Sequence, residues 1–335
     1  MQGYNGNGEV GDGTVDDCLT PTLVHFDGWW ESISTGSHHT CGIRSGGQLW
    51  CWGLNSAGQV GDGSTDTPPL PTLLGSSTDW AALALGTATS CATKSNGTLY
   101  CWGSNAFGQY GDNSTTSRTA PTAATPGLTW TTVAVGAQAV CGVAGTPVAP
   151  PPLPALPPAP PLFAAPDCWG TNGAGQLGNG STAGRRLLPA NTSAAVWQQF
   201  SLSDTTACAI RRSVLELYCW GTDKYGWGSL GDGWAVSHYV PLQVSGGGQW
   251  QSVFAASGWG CGIRANGSLS CWGVNRWGSL GDGSTLNRAT PVLVAHSATW
   301  ASLPPRGHGG FFACGIQTAG SLWCWVRGLA WMDAR

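Results

Sequence analysis

The residue types in this chain that could do chemistry are thirteen cysteines, six histidines and three glycine runs shaped like a nucleotide fingerprint. The runs, at residues 6–11, 173–178 and 226–231, each read Gly-x-Gly-x-x-Gly. Such a run cradles a pyrophosphate where a strand turns into a helix. Here all three fall in one phase of a longer repeat and no strand–turn–helix pattern surrounds them, so turn glycines explain them better. Asp62-Gly63-Ser64-Thr65-Asp66 and its relatives faintly resemble a calcium loop, but they lack its alternating oxygen ligands and terminal Glu. Their Asp is expected to cap turn N–H groups. Among His25, His38, His39, His238, His296 and His308 the one adjacent pair, His38-His39, would point to opposite sides of a strand. His-Glu-x-x-His, Gly-x-Ser-x-Gly and the P-loop are all absent. The expectation is a non-catalytic protein without cofactor or metal.

Twelve of the cysteines fall into pairs: Cys41/Cys51, Cys91/Cys101, Cys141/Cys168, Cys208/Cys219, Cys261/Cys271 and Cys314/Cys324. A turn at Ser45-Gly46-Gly47 would set Cys41 opposite Cys51 and Ile43 opposite Leu49, all on one face of a hairpin. Directly opposed residues of an antiparallel pair lie about 4.5–5.5 Å apart at Cα, which suits a disulfide. Asn96-Gly97 and Asn266-Gly267 are favoured hairpin-turn dipeptides at the matching places. Neither Cys-x-x-Cys nor a Cys/His quartet offers a zinc site. The twelve are therefore read as structural disulfides in an oxidising compartment, with buried free thiols in a cytoplasmic protein as the alternative. Cys18 is left without a repeat partner. Five Asn-x-Ser/Thr acceptors, Asn96, Asn113, Asn179, Asn191 and Asn266, fit a secreted glycoprotein. The expected location is extracellular or the secretory lumen, although Met1-Gln2-Gly3-Tyr4 does not begin a signal peptide.

The hairpins are positioned by a repeat of about 50 residues. Each Cys-Trp dipeptide follows its first cysteine, and another Trp stands about eleven residues ahead, at Trp30, Trp80, Trp130, Trp197, Trp250 and Trp300. After most Cys-Trp pairs comes a run such as Gly58-Gln59-Val60-Gly61-Asp62-Gly63. The pattern resembles the repeat of the regulator of chromosome condensation family, and more narrowly its cysteine-paired version in secreted bacterial proteins and crinkly-type receptor ectodomains. The resemblance implies an all-β fold, a β-propeller of four-stranded blades, usually seven; this chain holds six blades' worth. One blade cannot bury both faces, so blades must stack side by side. Residues 1–325 are read as a single propeller of five whole repeats with complementary half repeats at its ends, 147–166 as a loop insertion and 326–335 as a non-repeat tail. A closed ring of six blades and a fragment of a longer protein both fit this arrangement.

The insertion has ten prolines in twenty residues and should leave the sheet as a polyproline-type loop. Charged residues make up 9% of the chain, with Lys+Arg 14 against Asp+Glu 17, which is no footprint for nucleic acid or an anionic membrane. No apolar run reaches the length of a membrane helix. The 20 Trp and 52 Gly describe many anchors joined by tight turns. Twelve Trp occupy the two repeat positions, where packing is the natural role. Trp227, Trp234, Trp259 and Trp277 stand off the repeat and are candidate contact residues, with Trp227 and Trp277 at equivalent positions as a candidate patch. The functional expectation is an extracellular scaffold presenting loops to a protein, peptide or glycan. The alternatives are an intracellular guanine-nucleotide exchange factor for a small GTPase, as the family's founding member implies, and a protein inhibitor.

Overall fold

The computed structural model describes residues 4–18, 22–24, 29–145, 167–186, 197–223, 226–276, 278–294, 298–303, 312–326 and 329–334. The proline-rich 147–166, Asn191 and Trp277 lie outside the described residues. Short runs of alternating apolar and polar residues, punctuated by Gly turns, favour strands over helices. They build six four-stranded antiparallel sheets, each a meander in chain order. The first holds β1 (Trp30–Thr35), β2 (His39–Arg44), β3 (Gln48–Gly53) and β4 (Thr72–Leu73). The second holds β5 (Trp80–Leu85), β6 (Thr89–Lys94), β7 (Leu99–Gly103) and β8 (Arg118–Ala123). The third is β9 (Trp130–Val135), β10 (Ala139–Ala144), β11 (Cys168–Thr171) and β12 (Arg185–Arg186). The fourth is β13 (Trp197–Leu202), β14 (Thr206–Arg211), β15 (Leu217–Gly221) and β16 (His238–Gln243). The fifth is β17 (Trp250–Ala256), β18 (Trp259–Arg264), β19 (Leu269–Gly273) and β20 (Arg288–Val294). The sixth is β21 (Trp300–Ser302), β22 (Phe312–Gln317), β23 (Leu322–Val326) and β24 (Leu329–Ala334).

First strands pack on first strands, β1 on β5, β5 on β9, β9 on β13 and β13 on β17, so they form the inner edges of a propeller. Outer strands β8, β16 and β20 carry Pro121, Pro241 and Pro291, which remove a donor from each exposed edge. The core lies between blades. Cys41, Ile43, Leu49 and Cys51 on one blade pack against Trp80, Leu85, Ala92 and Trp102 on the next. The same face-to-face pattern recurs where Cys91, Leu99 and Cys101 meet Trp130 and Trp169, and where Cys208, Ile210 and Cys219 meet Trp250 and Trp272. In the fifth blade Cys261, Ile263, Leu269 and Cys271 pack against Trp300 of the sixth.

The strand registers set the cysteines directly opposite each other. Cys41 faces Cys51, Cys91 faces Cys101 and Cys141 faces Cys168. Cys208 faces Cys219, Cys261 faces Cys271 and Cys314 faces Cys324. The first five of these pairs, Cys41–Cys51 through Cys261–Cys271, are joined through sulfur with Cα atoms 4.0–4.1 Å apart. The side chains of Cys314 and Cys324 lie outside the described residues. Each joined pair is buried, so these cysteines staple hairpins and present no thiol to solvent.

Two segments differ from the sequence expectation. The tail expected outside the repeats supplies β24, which pairs with β23 (Leu322 opposite Ala334, Cys324 opposite Met332). The sixth sheet thus takes all four strands from the chain's last part. Residues 4–18, expected to share a blade with that end, form instead a turn-rich loop against the first blade.

Candidate interaction surface

The glycine-rich runs are the devices that join one blade to the next. In the loop 55–62, Asn55 Oδ1 accepts from Val60 N at 2.8 Å while its Nδ2 reaches Asp62 Oδ1 at 3.2 Å. The curl presents the Gln59 carbonyl to the following blade, where Trp102 Nε1 donates at 2.9 Å and Ser90 Oγ at 2.7 Å. Gly61 makes the approach possible: its φ is +87°, and a Cβ there would stand 2.5 Å from Trp102 Nε1. Equivalent bonds run from Trp52 to the Glu9 carbonyl, Trp169 to Gln109, Trp220 to Gln176 and Trp272 to Ser229. Residues 6–11, 173–178 and 226–231 are therefore turns that receive an indole.

In three blades the loop beyond the curl is tied to the start of an outer strand. Arg118 Nη2 lies 2.7 Å from Asp112 Oδ2, and Arg288 Nη2 lies 2.9 Å from Asp282 Oδ2. Burial pushes both carboxyls up, but bonds from Ser114 and Arg118, or from Ser284, Arg288 and Asn275, outweigh it and hold them below the usual carboxylate range. In the fourth blade the strand residue is His238, with Nε2 3.3 Å from Asp232 Oδ2. There burial prevails over the Trp234 amide and His238, and the Asp232 carboxyl is raised. This loop also ends differently. Its tip exposes Trp234 (66%) and Val236 (53%) where loop 62–66 shows Gly, Ser, Thr and Asp.

Trp227 is half-buried, its amide held by Asp223 Oδ1 at 3.3 Å, and the Arg276 guanidinium lies 4.2 Å from its ring centroid. That cation–π contact links the loops of the fourth and fifth blades. Phe107, also half-buried, occupies the same repeat position in the second blade, a correspondence visible in the spacing to the following Gly but missed in the sequence. Trp259 is a correction: expected as a surface contact, it is 1% exposed and packs on Phe254 at 5.3 Å. It precedes Cys261 by two residues on one strand, so it shares the buried face of the Cys261–Cys271 hairpin. Trp29, 84% exposed, escaped sequence reasoning because it adjoins the repeat's Trp30.

His38 lies in the bend just before β2 and His39 is its first residue, and the two face apart: His39 Nε2 is buried 2.8 Å from Ser90 Oγ, while exposed His38 meets Glu9. Asn96, Asn113, Asn179 and Asn266 are exposed, and Asn96 Oδ1 and Asn266 Oδ1 cap the turn amides of Thr98 and Ser268. Cys18 is half-buried, its sulfur 3.6 Å from Asp12 Oδ2. Among the described residues no group of three His, Cys, Asp or Glu is placed to hold a metal, and no helix is long and apolar enough to cross a membrane.

Residues 30–59 and 80–109, and in a second profile 46–93 and 96–143, match the regulator of chromosome condensation (RCC1) repeat. No curated protein matches the chain. Among solved structures, Prp20p from Saccharomyces cerevisiae is similar at TM-score 0.76 and 18% identity, over 97% of this chain and 80% of that one. Human WBSCR16 is similar at TM-score 0.73 and 19% identity, over 92% and 79%. The ectodomain of the Physcomitrella patens receptor kinase CR4 is similar at TM-score 0.55 and 21% identity, over 91% and 66%. The expected crinkly-type, secreted variant is thereby overturned, since Prp20p and WBSCR16 superpose better than that ectodomain. The extracellular or lumenal placement and the secreted receptor-ectodomain reading fall with it. The physical reason is that repeat register alone brings pairs such as Cys91/Cys101 and Cys261/Cys271 opposite each other. Their opposition therefore reports the hairpin and not the compartment. Residues 30–93 and 96–143 thus match the regulator of chromosome condensation repeat, and the chain as a whole is an all-β propeller of about 50-residue repeats similar to these.

Proposed function

We propose that this propeller is a non-catalytic scaffold that binds protein partners and regulates a small GTPase in the manner of a guanine-nucleotide exchange factor. The observation that carries the reading is the match to Prp20p along almost the whole chain, a protein whose structure is described together with its binding to Gsp1p and histones. Surface chemistry supports it. An exchange factor acts by binding, and here the loops hold Trp227 against Arg276 and expose Trp234 to solvent. Aromatic and Arg side chains of this kind are common binding anchors.

The test is release of a fluorescent GDP analogue from Gsp1p with and without the purified chain. The expected result is acceleration of at least tenfold, with Trp227→Ala losing about 2 kcal/mol of binding, roughly thirtyfold in affinity. If the chain neither speeds release nor binds the GTPase in a direct titration, this reading is wrong.

A further inference from the structure

The outer loop of the fourth blade replaces a permanent charge with a titratable one. Arg118, His238 and Arg288 stand at the same register position, opposite Gly103, Gly221 and Gly273, and each faces the loop Asp of its own blade. Guanidinium keeps its charge at every physiological pH, whereas imidazole changes charge between about pH 5 and 8. Asp232 is the most enclosed of the three carboxylates, its side chain 1% exposed. Its Oδ2 and His238 Nε2 are both buried without an aligned hydrogen bond, so the contact rests on charge. We propose that the Asp232–His238 pair is a pH-operated clasp that sets how firmly the apolar tip 234–236 is held against the propeller's rim.

Few other charges face this pair: β20 of the next blade, whose Ala289 and Thr290 pack on this loop, carries Arg288, which is held by Asp282 of its own blade. From its own loop the other charged group is Asp223, occupied by the amides of Gly228 and Ser229 and by Ser229 Oγ. Lys224, next to Asp223, lies outside the described residues. The loop of the preceding blade packs on β16 through Gly175 against Tyr239, and residues 172–184 contain no charged side chain. The raised Asp232 carboxyl fixes the sign. An ionised, buried carboxylate is unfavourable on its own, and a protonated imidazole offsets that. When the imidazole gives up its proton the carboxylate loses its counter-charge and the tip loosens. The Arg-held loops have no such step.

Two amides report the tip directly. Gly233 N donates to the Ala289 carbonyl at 2.9 Å, and Trp234 N to Asp232 Oδ1 at 2.9 Å. Hydrogen–deuterium exchange of the intact protein, corrected for intrinsic rates, should show protection at 233–236 falling on the order of fivefold between pH 6 and pH 8. Loops 112–116 and 282–286 serve as controls in the same molecule and should change less than twofold. His238→Arg should flatten the response at 233–236 to theirs. A wild-type tip that follows the two control loops, or a His238→Arg tip that still responds to pH, would overturn the clasp. The wild-type comparison stands even where the variant fails to fold.

Discussion

The seams between blades and the rim of the propeller are made by the same loops, yet they obey different rules. At five seams an indole donates to one carbonyl of a glycine-rich curl, with little change beyond the residue that supplies the carbonyl. At the rim the corresponding tie is Asp112–Arg118, Asp232–His238 or Asp282–Arg288, and Pro68 stands at the equivalent place in the first blade. A seam must satisfy buried donors in a close-packed interior, where an unpaired group is expensive. The strand-side partner of a rim tie, Arg118, His238 or Arg288, is partly exposed, so several side chains serve there and the choice is free for recognition.

The largest effect should come from filling a seam. Gly61→Ala puts a Cβ at 2.5 Å from Trp102 Nε1 on a left-handed backbone, while Gly63, at φ +92°, has nothing within 4 Å of the same added atom. Urea unfolding should therefore show Gly61→Ala losing about 3 kcal/mol and Gly63→Ala about 1 kcal/mol, the backbone share alone. Equal losses would mean that the indole's close approach is not what the glycine serves.

Next in size is the bond itself. Trp102→Phe removes the donor to Gln59 and leaves space where a fully buried indole stood, though Ser90 Oγ still reaches that carbonyl. A loss of about 2 kcal/mol in unfolding free energy is expected. Trp234→Phe, at the exposed rim, should stay within about 0.5 kcal/mol of the parent. A rim variant as damaging as the seam variant would erase the distinction.

This division also explains what could be read from sequence. The Trp, Cys-Trp and glycine-run spacings repeat because every seam repeats, so blade number, hairpin register and the cysteine opposition were all visible. Trp259 was misjudged because it was counted as off the repeat, when its parity with Cys261 already placed it inside. The tail strand β24 was not legible: its residues lack the repeat's signature, and an outer strand is recruited by pairing with β23 rather than by pattern. Nor was the clasp, because Asp232 and His238 mean little until the register sets His238 where three other blades have Arg. The compartment was misread for a related reason, since the cysteine pairs were taken as a record of location when hairpin register sets them opposite each other in any compartment.

The smallest effect separates the two kinds of rim tie by pH. Burial raises the folded Asp282 carboxyl, but bonds from Ser284, Arg288 and Asn275 outweigh it and hold the group below its ordinary value of 3.8. Stability from that group is thus present above pH 3.8 and is lost as pH falls through the lower folded value. Arg288→Met removes one of the groups responsible. The Arg288 side chain is 35% exposed, so solvent screens the pair and the expected loss at neutral pH is only about 0.5 kcal/mol. Urea midpoints measured from pH 7 downward should show the difference between parent and Arg288→Met shrinking towards zero at the acid end. A difference that persists after Asp282 is protonated would show that Arg288 acts through packing on the rim and not through its charge.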